Sequence, residues 1–132
     1  MGKSIPIQAL TDLPMWQSIE EGALKLQFCS DCDTCRYPPA PICPSCLSMD
    51  SEWRPVTGEG TVMSWVIFHR KYFDDFPPPY NAMAVRLDEG PIIVTNLLDP
   101  VPGSSLIGRR IKLEYVDHDG RKQHGARLKE AD

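Results

Sequence analysis

The hydrophobic pattern has a two-residue period along most of the chain. Leu24, Leu26 and Phe28 alternate with Ala23, Lys25 and Gln27, which predicts a strand with one buried face running into Cys29. After Gly58-Glu59-Gly60 the character changes. Thr61 to Arg70 sets Val62, Ser64, Val66 and Phe68 on one face and Met63, Trp65, Ile67 and His69 on the other, so both faces carry bulk, as in a small curled barrel. Asn81 to Leu87 and Ile92 to Leu98 read as a hairpin around the turn residues Asp88-Glu89-Gly90-Pro91. Ile111, Leu113 and Tyr115 alternate with charged residues, Asp117-His118-Asp119-Gly120 turns the chain, and Gln123 to Lys129 forms the last strand. Five strands with short turns fit the partly open OB barrel.

Ahead of the strands, Met1 to Leu10 has no clear period and reads as a loose arm. Thr11 or Asp12 caps a short helix with Pro14 in its first turn, Trp16 and Ile19 three apart, and Gly22 as its stop. About two turns do not hold alone, so Trp16 packs on its own domain or on a partner chain. The expected architecture is mostly β: an N-terminal arm and short helix (1–22), a cysteine-bearing ribbon (23–52) ending in a polar link from Leu47 to Glu52, and a five-stranded OB barrel (53–132).

The ribbon is defined by Cys29-Ser-Asp-Cys32, ten residues rich in proline, and Cys43-Pro-Ser-Cys46. Each C-x-x-C turn aims two sulfurs at one point, and two such turns supply the tetrahedral S4 set of a closed structural Zn²⁺ site. Cys32/Cys35 has the same gap and competes with Cys29/Cys32; we take Cys29, Cys32, Cys43 and Cys46 as ligands and Cys35 as a free thiol. Iron in the same set is the redox alternative, and a pair of disulfides needs an oxidising compartment for which the start of the chain shows no export signal. Knuckles of this type usually carry Gly just after the second Cys. Asp33 tolerates the left-handed backbone expected there, whereas Leu47 does not. Between the pairs, Arg36-Tyr37-Pro38-Pro39-Ala40-Pro41-Ile42 cannot be helical and predicts a stiff crossing, with Tyr37 covering the metal site or facing a partner.

At 132 residues the chain fits one modest domain plus an appendage that needs its metal to fold. No apolar run approaches the roughly 20 residues that span a bilayer, and the expectation is a soluble, cytoplasmic protein. A net charge of −4 argues against generic binding to nucleic acid. Arg109 to Lys129 nevertheless holds seven basic residues against three acidic ones, either a solvated strand face or a site for a phosphate-bearing ligand or acidic partner. Lys71 to Tyr80 crowds Tyr72, Phe73, Phe76 and Tyr80 among three prolines, either covering the barrel or meeting a partner. His118, between two aspartates in a turn, reads as exposed. No Ser/His/Asp arrangement or phosphate loop stands out, and Cys35 alone is a conceivable nucleophile.

The short Trp helix, Leu-x-Leu-x-x-Cys, C-x2-C-x10-C-x2-C with Pro38-Pro39 and Cys43-Pro44, Gly58-x-Gly60-Thr61-Val62-x-Ser64, His69, Pro79-Tyr80, Leu87-Asp88-Glu89-Gly90 and Thr95-Asn96 together resemble a known family. Its members are bacterial and archaeal proteins in which a rubredoxin-like zinc ribbon is fused to an OB fold, long described as a domain of unknown function. The resemblance runs from about Pro14 to Arg127. It implies a non-catalytic accessory subunit of a thiolase-like protein, whether thiolase, acyltransferase or aldolase, that works on acyl-CoA thioesters. On that basis Arg109, Arg110, Lys112, Arg121 and Lys122 are the expected contacts for acyl-CoA phosphates, and Trp16, Tyr72, Phe73, Phe76 and Tyr80 for the partner. A nucleic-acid-binding ribbon and barrel is the alternative, and an iron electron carrier a more remote one.

Overall fold

The computed structural model describes residues 2–4, 6 and 8–129. A 3-10 turn (Leu10–Asp12) leads into helix α1 (Leu13–Glu20), with Pro14 in the first turn where its missing N–H has no intrahelical role. Met15, Ser18 and Ile19 form its buried face, and the Ser18 hydroxyl accepts the Lys25 amide at 2.9 Å, which ties the helix to the first strand.

Strands β1 (Lys25–Cys29), β2 (Cys35–Arg36) and β3 (Ser51–Pro55) form a small antiparallel sheet in the order β2-β1-β3. The crossing from Tyr37 to Ile42 is neither helix nor strand, as its prolines require. Two features differ from the sequence reading. The polar link expected from Leu47 to Glu52 gives way at Ser51 to β3, whose Trp53 lies opposite Gln27 of β1. Gln27, expected on the open face, is buried: its Oε1 accepts the Ala40 amide at 2.8 Å and Arg36 Nε at 3.3 Å, pinning the proline-rich crossing to β1.

Strands β4 (Glu59–Phe68), β5 (Tyr80–Leu87), β6 (Ile92–Thr95), β7 (Arg110–His118) and β8 (Arg121–Leu128) form an antiparallel sheet in the order β6-β5-β4-β7-β8. It curls until Leu97 bridges Ala126, the closure of an OB-type barrel. Gly60 sits where a Cβ would come within 2.6 Å of the Arg86 carbonyl oxygen, so the close approach of β4 and β5 there needs glycine.

The simple alternation expected along β4 is broken by a bulge between Val62 and Ser64. Val62 faces the core opposite Val85; the extra residue, Met63, shifts the phase, so Trp65 opposite Met83 faces inward and Ser64, Val66 and Phe68 face out. The outer face therefore aligns Phe68 with Tyr80, Val66 with Ala82, Ser64 with Ala84 and Val94, and Thr61 with Arg86 and Ile92.

Met15, Ile19, Leu24 and Leu26 join Val62, Met83, Val85, Leu87, Ile93, Leu106 and Ile111 in one hydrophobic cluster, so helix, ribbon and barrel share a core. The Tyr115 hydroxyl accepts the Leu24 amide at 2.7 Å, and Val56 N–H donates to the Leu24 carbonyl at 3.0 Å, fixing the ribbon against β7 and the start of the barrel. No helix among the described residues is long and apolar enough to cross a membrane.

Candidate metal centre and interaction surface

The two C-x-x-C turns fold alike. In each, the first cysteine's carbonyl accepts the amide four residues on (Asp33 to Cys29, Leu47 to Cys43, both 2.9 Å), and its own amide donates to the carbonyl five residues on (Thr34 and Ser48, both 2.9 Å). That geometry forces a left-handed residue just after the second cysteine, and Asp33 (φ 62°) and Leu47 (φ 66°) both adopt it. Asp33 is held there by Arg54 at 2.8 Å. Leu47 has the φ that the sequence reading denied it: the doubled hydrogen bonding of the turn, and the metal it serves, outweigh a steric cost of about 1–2 kcal/mol.

The sulfurs of Cys29, Cys32, Cys43 and Cys46 all lie within 4.8 Å of one another, with Cys29 and Cys46 at 3.5 Å and Cys32 and Cys43 at 3.6 Å. A tetrahedral thiolate set at the usual metal–sulfur distance of about 2.3 Å has sulfurs about 3.8 Å apart. The acid–base chemistry fits the same ion. The Cys46 amide, above all, pulls the Cys43 thiol down to about 6, and the Cys32 amide lowers Cys29. Cys46 is pushed up to about 12: the Ser48 amide favours its thiolate, but the neighbouring Cys29 and Cys32 sulfurs and burial outweigh it. Four sulfurs so close do not all ionise without a cation among them, and Zn²⁺ supplies that charge as a closed structural centre.

Cys35 lies outside this set. It is half-buried against the core, and burial first, then Glu89, push its thiol up to about 11. A thiol held neutral is a poor nucleophile.

The five basic residues are spread along the β7–β8 hairpin: Arg110 and Arg121 stand about 25 Å apart for eight strand residues, whereas Lys112 and Lys122 come closer and line one hollow with Thr57 and Tyr115. Arg110 is held by both carboxylate oxygens of Asp88 at 2.7 and 2.8 Å, Lys112 donates to the Thr57 carbonyl, and Arg121 donates to the Ser4 carbonyl.

The aromatic loop both folds back and reaches out. Phe76 stacks on His118 (centroids 4.5 Å), and Tyr80 stacks on Phe68 (4.9 Å), so these two are internal supports. Tyr72 and Phe73 are exposed and, with Phe68, Tyr80 and Gly2, line an open apolar cleft of about 530 Å³. Trp16 is partly buried and packs against the core, where it lines a second hollow with Tyr37, Val94 and His124 that shares Phe73 with the cleft.

His118 is not the exposed turn residue expected. Its Nε2 lies 2.8 Å from Oδ2 of buried Asp75, which also accepts the Ser4 amide at 2.8 Å and the Ser4 hydroxyl. Burial alone raises the Asp75 carboxyl, but the bonds from Ser4 and His118 outweigh it and hold it well below the usual carboxylate range. Serine, histidine and aspartate thus meet, yet serine and histidine both bind the carboxylate and not each other. This is an anchor for the loop rather than a relay to a nucleophile. Nothing in the sequence links residues 4, 75 and 118, so only the folded chain reveals the group.

Comparison with known proteins fits this geometry. Residues 16–50 match the model of the ChsH2 rubredoxin-like zinc ribbon domain, and residues 53–116 that of the ChsH2 C-terminal OB-fold domain. The chain belongs to the ChsH2-type family of zinc ribbon and OB-fold proteins. It superposes on a chain of the Ltp2-ChsH2(DUF35) aldolase with a TM-score of 0.87 and 30% identity, over 94% of this chain and 98% of that one. A probable enoyl-CoA hydratase alpha subunit of Thermomonospora curvata is 34% identical over 82% of this chain, and a DUF35 domain-containing scaffold protein of Pyrococcus furiosus 29% identical over 70%. The 3-oxo-4,17-pregnadiene-20-carboxyl-CoA hydratase alpha subunit of Mycobacterium tuberculosis is 26% identical over 77%. The matched region is 73% of the scaffold protein but only 34% and 32% of the two hydratase subunits, so this chain spans about a third of their length.

Proposed function

We propose that this chain is a non-catalytic accessory subunit that assembles with a thiolase-like enzyme acting on acyl-CoA thioesters. The observation that carries the reading is the overlap of nearly the whole chain with one component of an aldolase whose name joins two, Ltp2 and ChsH2. Three features of the chain support it: a closed metal centre with no free coordination position, a Ser-Asp-His group wired as an anchor, and exposed Tyr72 and Phe73 on a loop stiffened by prolines. The partner supplies the catalytic groups and holds the acyl-CoA. The phosphates of one CoA do not span the distance from Arg110 to Arg121, so any contact with them from this chain engages only some of the five basic residues, and Lys112 and Lys122, which share a hollow, are the pair able to act together.

The test is co-expression with a thiolase-like subunit encoded beside it, co-purification, and an assay of carbon–carbon bond formation or cleavage on CoA thioesters. The expected result is a stable complex that is active where neither chain alone is. A partner that is soluble and fully active alone, and that does not co-purify with this chain, overturns the proposal.

A further inference from the structure

The outer face of β4, β5 and β6 is the least protected apolar surface of the barrel. Val94 is 65% exposed, Val66 50% and Ile92 44%, and they stand over a floor of Ala82 and Ala84 that lets another surface approach closely. In an OB fold this face, with the loop between the first two strands, is where ligands usually sit. Here that loop carries Tyr72 and Phe73, and the stacked Phe68 and Tyr80 join it to the sheet face without a break.

The charges at the margins indicate the occupant. Arg54, Arg110 and Arg127 each engage a carboxylate. Arg70 and Arg86, at opposite ends of the face, engage none among the described residues: Arg70 lies over the Tyr72 ring, and Arg86 donates to the Gly90 carbonyl. Asp74, the nearby acid on the loop, is taken by Lys71 at 3.2 Å. Two copies pressed face to face would therefore bring guanidinium groups together with no carboxylate to meet them. A nucleic acid strand would want a row of free stacking rings, whereas the centre of this face is aliphatic.

We infer that the outer β4–β5–β6 face and Tyr72–Phe73 form one docking surface for a protein subunit whose own surface is apolar at its centre and carries carboxylates at its rim, opposite Arg70 and Arg86. This rests on the accessory-subunit reading and adds where the partner sits. Apolar packing supplies the bulk of such an interface, and the rim charges set orientation and on-rate.

The experiment measures binding of the co-expressed thiolase-like subunit to three forms of the full chain: unaltered, Val66→Glu with Val94→Glu (the face variant), and Met49→Glu at an exposed position beyond the metal-binding turn (the knuckle variant). Zinc content and melting temperature verify that each is folded. The face variant is expected to weaken binding at least about 100-fold, because two carboxylates are desolvated without partners. The knuckle variant should bind like the unaltered chain. Reversal of Arg70 and Arg86 to Glu should weaken binding about 10-fold and flatten its salt dependence.

A complex that survives the face variant overturns this inference and leaves the accessory-subunit reading intact, and so does equal loss with the knuckle variant. If the unaltered chain forms no complex at all, the accessory reading fails, and the inference is then decided by sedimentation and by titration with oligo-dT. Self-association or DNA binding that the face variant abolishes reassigns the surface and overturns the inference. The absence of both leaves the face without an occupant and overturns it as well.

Discussion

The Asp75 carboxylate and the His118 ring, 43 residues apart in sequence, meet at 2.8 Å and join the aromatic loop to the β7–β8 turn. Phe76 stacks on the same imidazole, and Asp75 also binds Ser4, so one side chain orders three segments. The anchor fixes where Tyr72 and Phe73 are displayed.

Asp75→Asn should destabilise the folded chain by about 1–3 kcal/mol at neutral pH, since it weakens the acceptor of several bonds in a buried place. The pH dependence has a definite sign. The folded carboxyl lies well below its ordinary 3.8, so its contribution is full above that value and is lost as the pH falls toward the lowered one. The difference in melting temperature between the unaltered chain and Asp75→Asn should hold from pH 7 to about pH 5 and shrink below pH 4. A difference that grows on acidification would contradict the assignment.

Cys35→Ser should retain one zinc per chain by mass spectrometry, while Cys29→Ser or Cys43→Ser should lose it, since Cys35 stands outside the sulfur cluster. In the zinc-loaded protein, iodoacetamide should label Cys35 slowly at pH 7.5, because its thiol is pushed up to about 11. Rapid labelling at that pH would show a thiolate that the structure does not allow.

Leu47→Gly should raise stability by about 1 kcal/mol and slow zinc removal by a chelator, because glycine takes the φ of 66° without steric penalty. Asp33→Gly should gain less or lose, since it gives up the contact with Arg54.

Gly60→Ala tests the barrel. The new methyl would lie 2.6 Å from the Arg86 carbonyl oxygen and 2.7 Å from Val85 Cγ1, so β4 and β5 must part, at a cost of about 1–3 kcal/mol. Chemical denaturation should show this loss; an unchanged midpoint would mean that the strands are not so close.

The clustering of four cysteines and the five barrel strands were legible in the sequence because both signals are local: two C-x-x-C turns bring four sulfurs together within eighteen residues, and a two-residue period marks a strand wherever it occurs. What tertiary structure decided depends on residues remote in sequence. The bulge at Met63 reverses the faces of β4, and only its pairing with β5 reveals it. Gln27 is drawn inside by the Ala40 amide, β3 finds its place against β1, and the basic residues gathered between 109 and 129 in sequence are spread along a hairpin. The bond between Asp75 and His118 exists only because barrel closure brings loop and turn together. Alternation and spacing record what a segment does by itself, whereas the partner of a polar side chain is fixed by what the fold places beside it.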